Sequence, residues 1–231
     1  MDLLLRGGTL VTCDSNDRVF SGDLLVSGER IRALGPDALD TAARPVRVLD
    51  ARGCAVMPGL VQTHVHLCQV LFRGMADDLP LLAWLRERIW PLEAAHDPAS
   101  LRASADLGLA ELLLGGTTTV LDMGTVHHHD VVFEALREAG VRALSGKAMM
   151  DAGEGVPAGL REETKDSLAA SERLCARWHG AEGGRLQYAY APRFILSCTE
   201  ALFRGVVAQA RSRGARLHSH AAEHPGERAA V

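Results

Sequence analysis

The sequence contains no long apolar run and no CxxC pair, and its five cysteines are an odd number. Because a helix needs roughly 18 or more apolar residues to span a bilayer, we expect no transmembrane segment. Five cysteines without CxxC spacing argue against a disulfide framework and against a thiolate zinc site. The first residues have no basic region and no small-residue cleavage pattern, so we expect no signal peptide. These absences predict a protein of the reducing cytoplasm.

Positive charge is also scarce. The 25 lysines and arginines are outnumbered by 29 acidic residues, which gives a formal net charge of -4. The chain therefore has no basic field to attract nucleic acid or an anionic membrane surface. Its 231 residues, 47% of them hydrophobic, suffice for a large core in one or two domains. We expect a small-molecule substrate, and neither nucleic acid nor a membrane as a partner.

Two patterns of secondary structure divide the chain. Residues 1–57 predict short strands separated by turns such as Gly7-Gly8, and therefore a small all-β unit. From residue 58, predicted strands alternate with predicted helices, which indicates parallel βα units in an open sheet or a barrel. Five such strands fit within residues 58–231, whereas a complete eight-stranded barrel takes about 250 residues. Residues 67–98 are predicted to be a long functional loop.

Histidines spaced two residues apart stand at the ends of two predicted strands. His64 and His66 end the first strand, and they share a face because side chains alternate along a strand. His218 and His220 end the fifth strand, and Glu223 follows three residues later. On geometry alone, either His218 or His220 could join His64 and His66 in binding a metal ion. Because barrel active sites form at carboxyl strand ends, this pattern predicts a metal site that polarises water beside a proton-shuttling carboxylate.

The runs PGLVQTHVHLCQ, GGTTTVLDM and HSHAAE closely resemble the amidohydrolase superfamily, and within it the chlorohydrolase and nucleoside-deaminase group. The resemblance covers the whole chain. It implies an α/β fold, in which residues 58–231 form about five βα units of a partial (β/α)8 TIM-like barrel. Residues 1–57 would form the N-terminal part of a β-sandwich domain. It also implies hydrolytic deamination of a purine nucleoside such as 5′-deoxyadenosine, methylthioadenosine or adenosylhomocysteine.

The family pattern also implies a set of site residues. It makes His64, His66 and His220 the ligands of one divalent metal and Glu223 the catalytic proton shuttle. His218 remains the alternative ligand to His220. Zn²⁺ is the expected ion, although Fe²⁺ and Mn²⁺ suit the same donors.

Four further residues are predicted to bind the substrate. Trp84 is suited to stack on a purine, and Glu93 to accept hydrogen bonds from both ribose hydroxyls, as residues at matching places do in the family. Arg193 ends the fourth strand, where many nucleoside deaminases carry a histidine. Together with Gln69, it also resembles the guanine deaminases. Deamination of a free oxopurine such as guanine therefore remains the alternative.

Other polar residues are expected to have structural roles. Asp122 ends the second strand and is predicted to orient its neighbours through hydrogen bonds. The run of histidines over residues 127–129 stands where a helix should begin, and three successive residues cannot share one helix face. We therefore expect helix-entry or surface positions there and no second metal site.

The family's sixth-strand histidine, eighth-strand aspartate and later sandwich strands have no counterparts among these 231 residues. We therefore expect the sequence to be part of a longer enzyme. The hypothesis of another class is an inactive fragment or a metal-binding or interaction module, because open barrel edges invite pairing with another chain. Relatives are often oligomers, so a homo-oligomer is also open.

Overall fold

A computed structural model describes residues 2–42 and 46–231 of the chain. Strands and helices follow one another through these residues. The chain forms two compact units, Met1–Gly59 and Leu60–Val231. The division follows Gly59, whereas the sequence placed it after residue 57. Met1 and residues 43–45 of the predicted N-terminal domain lie outside the described residues. Over the described ranges, no helix is both long enough and apolar enough to cross a membrane.

The N-terminal unit is built on one sheet. Its strands are β1 (Asp2–Val11), β2 (Val19–Ser27), β3 (Arg30–Gly35), β4 (Val46–Asp50) and β5 (Ala55–Val56). The pairs β1–β2 and β2–β3 are antiparallel, whereas β4 and β5 pair with β1 in parallel. Leu4 and Leu25 are fully buried in a small core on one face of this sheet.

The glycine pair in β1 forms a bulge and not the predicted turn. The strand continues through Gly7 and Gly8, and its register with β2 shifts between Leu5 and Gly8. Gly7 has a φ of 73°, a conformation that side chains with a Cβ rarely adopt, and its N–H donates to Asp23 Oδ1 at 2.8 Å. The two short strands that the sequence predicts on either side are therefore one strand.

The C-terminal unit alternates strands and helices, as the sequence predicts. Its strands are β6 (Leu60–Val65), β7 (Thr117–Met123), β8 (Arg142–Gly146), β9 (Ala148–Met149), β10 (Leu186–Pro192) and β11 (Arg216–Leu217). Its helices are α1 (Leu81–Trp84), α2 (Trp90–Ala94), α3 (Pro98–Leu114), α4 (His129–Ala139), α5 (Thr164–Trp178), α6 (Ala181–Gly184), α7 (Glu200–Arg213) and α8 (Pro225–Ala230). The sheet order is β11-β10-β8-β7-β6, with β9 beside β10, and these pairings are parallel. The predicted α/β class is confirmed, and the carboxyl ends of the strands share one edge.

The segment after β6 differs from its prediction as a loop. A 3-10 helix over Leu67–Phe72 is followed by α1, a π-helical turn over Leu85–Ile89, and α2. Leu85, Ile89 and Trp90 are buried together with side chains from the ends of β7, β9 and β10. Burial against the sheet therefore orders this segment. From Leu81 to Ala94 the helical turns are contiguous, but the π-helical turn between α1 and α2 interrupts the 3.6-residue period that the sequence would otherwise show.

The fifth strand is shorter than residues 215–221, which the sequence assigns to it, because β11 contains only Arg216 and Leu217. The chain beyond it still follows the end of β10. The His218 N–H donates to the Tyr190 carbonyl and the His220 N–H to the Arg193 carbonyl, both at 3.0 Å. These two bonds hold both histidines at the carboxyl edge of the sheet.

A buried ion pair joins the end of β8 to the segment before α5. Lys147 Nζ lies 2.7 Å from Glu162 Oε2, and the two side chains are 3% and 9% exposed. Ser167 Oγ donates to the same carboxylate oxygen at 2.6 Å. Burial lowers the pKa of Lys147, and the charge of Glu162 opposes that shift. The ammonium group therefore depends on its partner.

We predict that Glu162→Ala lowers the free energy of unfolding by about 3–5 kcal/mol, because it leaves the Lys147 ammonium buried without its partner. Urea denaturation measures this loss. The matched control is Glu200→Ala, which breaks an exposed pair with Arg204 and should cost less than about 1 kcal/mol. Equal losses in the two variants would contradict the stabilising role of the buried pair.

Candidate metal centre

Three imidazoles meet at the carboxyl edge of the sheet. His64 Nε2 and His66 Nε2 each lie 3.2 Å from His220 Nε2. The candidate ligand atoms of the three residues all lie within 4.8 Å of one another. A tetrahedral ion with bonds of about 2.0–2.1 Å holds its ligand nitrogens about 3.3 Å apart. The three side chains therefore fit a single divalent metal ion.

Backbone carbonyls set the tautomers of two of these rings. His66 Nδ1 lies 2.7 Å from the Met123 carbonyl oxygen, and His220 Nδ1 lies 3.0 Å from that of Arg193. Because a carbonyl oxygen only accepts, each ring carries its proton on Nδ1. The lone pair is then on Nε2, the nitrogen that faces the other imidazoles, which is the arrangement a metal ligand needs.

His218 lies behind His64 and not in the group of three. Its Nε2 is 3.2 Å from His64 Nδ1, on the side of the His64 ring away from His220. If His64 also presents the lone pair of Nε2, its Nδ1–H donates to His218 Nε2. His218 Nδ1 is buried and has no hydrogen-bond partner within the described part of the chain. Of the two histidines that the sequence left open, the geometry brings His220 to the centre.

Burial favours the neutral form of His64, His66 and His218. It lowers the pKa of His66 to about 3, with a further contribution from the positive charge of Arg193. Burial also lowers the pKa of His218 to about 4, helped by the two nearby histidines. The pKa of His64 is lowered by burial and by His220, while the charge of Glu223 opposes that shift. Neutral imidazole is the form that binds a metal.

Glu223 stands on the solvent side of the group. Its side chain is exposed, and its backbone N–H donates to Glu227 Oε2 at 2.8 Å. Its negative charge reaches both His64 and Arg193. The preceding Ala222 has a φ of 54°, a left-handed conformation that is uncommon for alanine. The backbone is therefore turned sharply just before the predicted proton shuttle.

Three of the four predicted substrate residues form one network, in which Glu93 and Arg193 are buried and Gln69 is half-buried. Arg193 donates to both oxygens of Glu93, at 2.6 and 3.0 Å, and Gln69 Nε2 donates to Glu93 Oε1 at 2.7 Å. Thr125 Oγ1, which the sequence did not single out, lies 3.3 Å from Glu93 Oε2. Burial raises the pKa of Glu93, but Arg193 and Gln69 outweigh it, so the pKa is lowered. The ribose contact of Glu93 stays a prediction.

The fourth residue, Trp84, lines a cavity next to the metal centre. This cavity has a volume of about 310 Å³, and its wall also contains His66, Gln69, Phe72 and Ile89. A side of the cavity is thus formed by a predicted metal ligand, and another by aromatic and apolar side chains. The wall also contains the charged side chains of Arg73 and Asp77, so the cavity combines apolar, polar and charged groups.

The run of histidines over residues 127–129 is not part of this group. His127 and His128 are exposed at the start of α4, and His129 is buried. Asp122 accepts hydrogen bonds from the Leu67 N–H and the Ser145 hydroxyl, which confirms its predicted orienting role. The sequence did not reveal the carbonyl partners of His66 and His220, because those contacts depend on how the strands align.

Imidazoles from two strand ends of a parallel sheet, beside a carboxylate, are the arrangement of α/β hydrolases that hold a divalent metal. The comparison with known families agrees. Residues 55–231 match the amidohydrolase family, and this chain belongs to it.

Individual relatives match nearly the whole chain. A 5-methylthioadenosine/S-adenosylhomocysteine deaminase from Natronomonas pharaonis is 40% identical over 225 residues, which are 96% of this chain and 48% of that protein. The structure of E. coli guanine deaminase is 28% identical with a TM-score of 0.84, covering 98% of this chain and 54% of the other. An atrazine chlorohydrolase from Arthrobacter aurescens complexed with zinc is 27% identical with a TM-score of 0.82, covering 94% and 52%. The chain thus spans about half the length of the relatives it matches.

We predict that His218→Ala weakens Zn²⁺ binding by about 10-fold, because His64 loses the acceptor that orients its ring. His218→Gln should retain more affinity, since an amide oxygen can accept the same hydrogen bond. Competition with a chromogenic chelator measures both, and His127→Ala, at an exposed histidine, is the control. If His218→Ala abolishes binding as His220→Ala does, His218 is itself a ligand.

Proposed function

We propose that this chain carries the metal-binding part of an enzyme that hydrolytically deaminates a purine nucleoside. The observation that carries the proposal is the meeting of His64, His66 and His220 beside Glu223. The parallel sheet supports five βα units of a partial (β/α)8 barrel, and the N-terminal sheet supports part of a β-sandwich. The 40% identity to a protein named as a nucleoside deaminase supports the substrate class.

We propose Zn²⁺ as the ion, held by the Nε2 atoms of His64, His66 and His220. The support is the all-imidazole donor set, its 3.2 Å nitrogen spacing and the zinc complex of a relative. Fe²⁺ and Mn²⁺ remain the alternatives. When bound, such an ion lowers the pKa of water and so supplies a nucleophile at neutral pH. The protein's part is to hold the three rings in place with their Nε2 atoms facing one another.

Glu223 would carry the proton in this reaction. Hydrolytic deamination adds water to the ring carbon that bears the amine and releases ammonia, leaving an oxo group. One proton of the water must pass to a ring nitrogen, which keeps it, and the second must pass to the departing amine as the oxo group forms. Glu223 is exposed and its charge acts on His64, so its carboxylate would accept a proton from the water and deliver it to the substrate.

The substrate pocket would lie between the metal centre and Trp84. Trp84 and Phe72 line the cavity beside His66 and would face the purine ring, while Gln69 supplies a polar group. Glu93 would bind ribose hydroxyls only after releasing a partner, because its oxygens already accept from Arg193, Gln69 and Thr125. That occupancy favours the second candidate function, deamination of a free oxopurine whose carbonyl Arg193 or Gln69 would read.

Substrate profiling decides between the two candidates. We predict that the Zn²⁺-loaded protein, as its own cells make it, has a kcat/KM for 5′-deoxyadenosine, methylthioadenosine or adenosylhomocysteine at least about 10-fold above that for guanine. A pocket that accommodates the ribose gains contacts that a free base cannot provide. Ammonia release measures turnover for each substrate. Faster turnover of guanine would replace the nucleoside by the oxopurine.

We predict that Glu223→Gln lowers kcat by about 100-fold or more, because a neutral amide cannot carry the proton. Bound Zn²⁺ should stay the same, since Glu223 is not placed among the ligands. The control is Glu200→Gln on the exposed start of α7, which should leave kcat unchanged. Loss of Zn²⁺ from Glu223→Gln would instead make Glu223 part of the metal site, and unchanged kcat would remove it from the mechanism.

A further inference from the structure

Three buried polar residues lie side by side under the metal centre. Asp122 and Ser145 are 0% exposed and His129 is 2% exposed. They come from three elements, since Asp122 is in β7, Ser145 in β8 and His129 at the start of α4. Buried polar groups are retained in a fold when they are hydrogen-bonded to one another.

Hydrogen bonds run in one direction through this group. His129 Nε2 lies 2.9 Å from Ser145 Oγ, and Ser145 Oγ lies 2.6 Å from Asp122 Oδ2. Because an ionised carboxylate only accepts, the serine hydroxyl donates to Asp122 and must itself accept from His129. His129 is thus protonated on Nε2. Its Nδ1 has no hydrogen-bond partner among the described residues and lies against Gly124, where a Cβ would be 2.1 Å away.

The other oxygen of Asp122 leads to the metal centre. Asp122 Oδ1 accepts the backbone N–H of Leu67 at 2.9 Å, and Leu67 directly follows His66. The next residue of β7, Met123, accepts His66 Nδ1–H through its carbonyl at 2.7 Å. The end of β7 therefore holds His66 both through the chain beside it and through its ring. Any shift of Asp122 would move both contacts.

We propose that Asp122, Ser145 and His129 form a positioning network for the metal ligand His66. Ser145 fixes the rotamer of Asp122 so that Oδ1 points at the Leu67 N–H, and His129 in turn fixes the Ser145 hydroxyl. The series of hydrogen bonds ends at α4, whose first residue is His129. Through this network, the orientation of the His66 ring depends on how the start of α4 packs against β7 and β8. The proposal rests on the metal centre of the proposed function.

The test is Ser145→Ala, with Ser171→Ala as its matched control. Ser171 is also 0% exposed, and its hydroxyl makes a side-chain hydrogen bond as short as that of Ser145 to Asp122, 2.6 Å to the Tyr188 hydroxyl. Among the described residues, this bond does not lead to His66. We expect about 10-fold weaker Zn²⁺ binding for Ser145→Ala, and affinity within about twofold of the unmodified protein for Ser171→Ala. Both variants should lose thermal stability to a similar degree.

A second readout needs neither metal nor activity. In the metal-free protein, ¹H–¹⁵N NMR should find His66 protonated on Nδ1 in the unmodified protein and in Ser171→Ala, and a mixture of tautomers in Ser145→Ala. His129→Leu breaks the same network from α4 and replaces Ser145→Ala if that variant does not fold. Unchanged affinity and an unchanged His66 tautomer in either variant overturn the network. Failure of the unmodified protein to bind Zn²⁺, with the tautomer shift present, overturns the metal centre instead.

Discussion

The ion pair between Arg193 and Glu93 is the contact on which the candidate site depends. Both side chains are almost wholly buried, and the guanidinium reaches both carboxylate oxygens. Leaving either charge without its partner in this interior would cost several kcal/mol, so the two must stay together. Glu93 lies in α2 and Arg193 follows β10. The pair therefore ties the helical segment that forms the cavity wall to the end of β10, where the Arg193 carbonyl accepts from the predicted ligand His220.

Arg193 acts at both of its ends. Its carbonyl accepts the ring Nδ1–H and the backbone N–H of His220, while its guanidinium holds Glu93. Its charge also contributes to lowering the pKa of His66, which keeps that imidazole neutral. One residue thus holds one predicted ligand in place and adds to the burial that keeps another neutral. Arg193 can have this structural importance whether or not it also touches a substrate.

The sequence predicted those parts of the site that depend on the identity and spacing of side chains. The two histidine pairs, the carboxylate after them and the alternation of strands and helices follow from local spacing alone. The Arg193–Glu93 pair could not be found that way, because its partners are 100 residues apart and meet only after the sheet has formed. The helices between residues 67 and 98 were missed for a related reason, since their order comes from burial against β7 and β10 and not from their own periodicity.

The partners of the ligands show where such prediction ends. His66 and His220 donate to the carbonyls of Met123 and Arg193, and every residue has a carbonyl. The side chains of Met123 and Arg193 give no indication that their backbone carbonyls accept from histidines. What selects these carbonyls is the alignment of β6 with β7 and of the chain after β11 with β10. The identity of the predicted ligands can therefore be inferred from the sequence. Their orientation depends on the strand register, which is known only from the folded sheet.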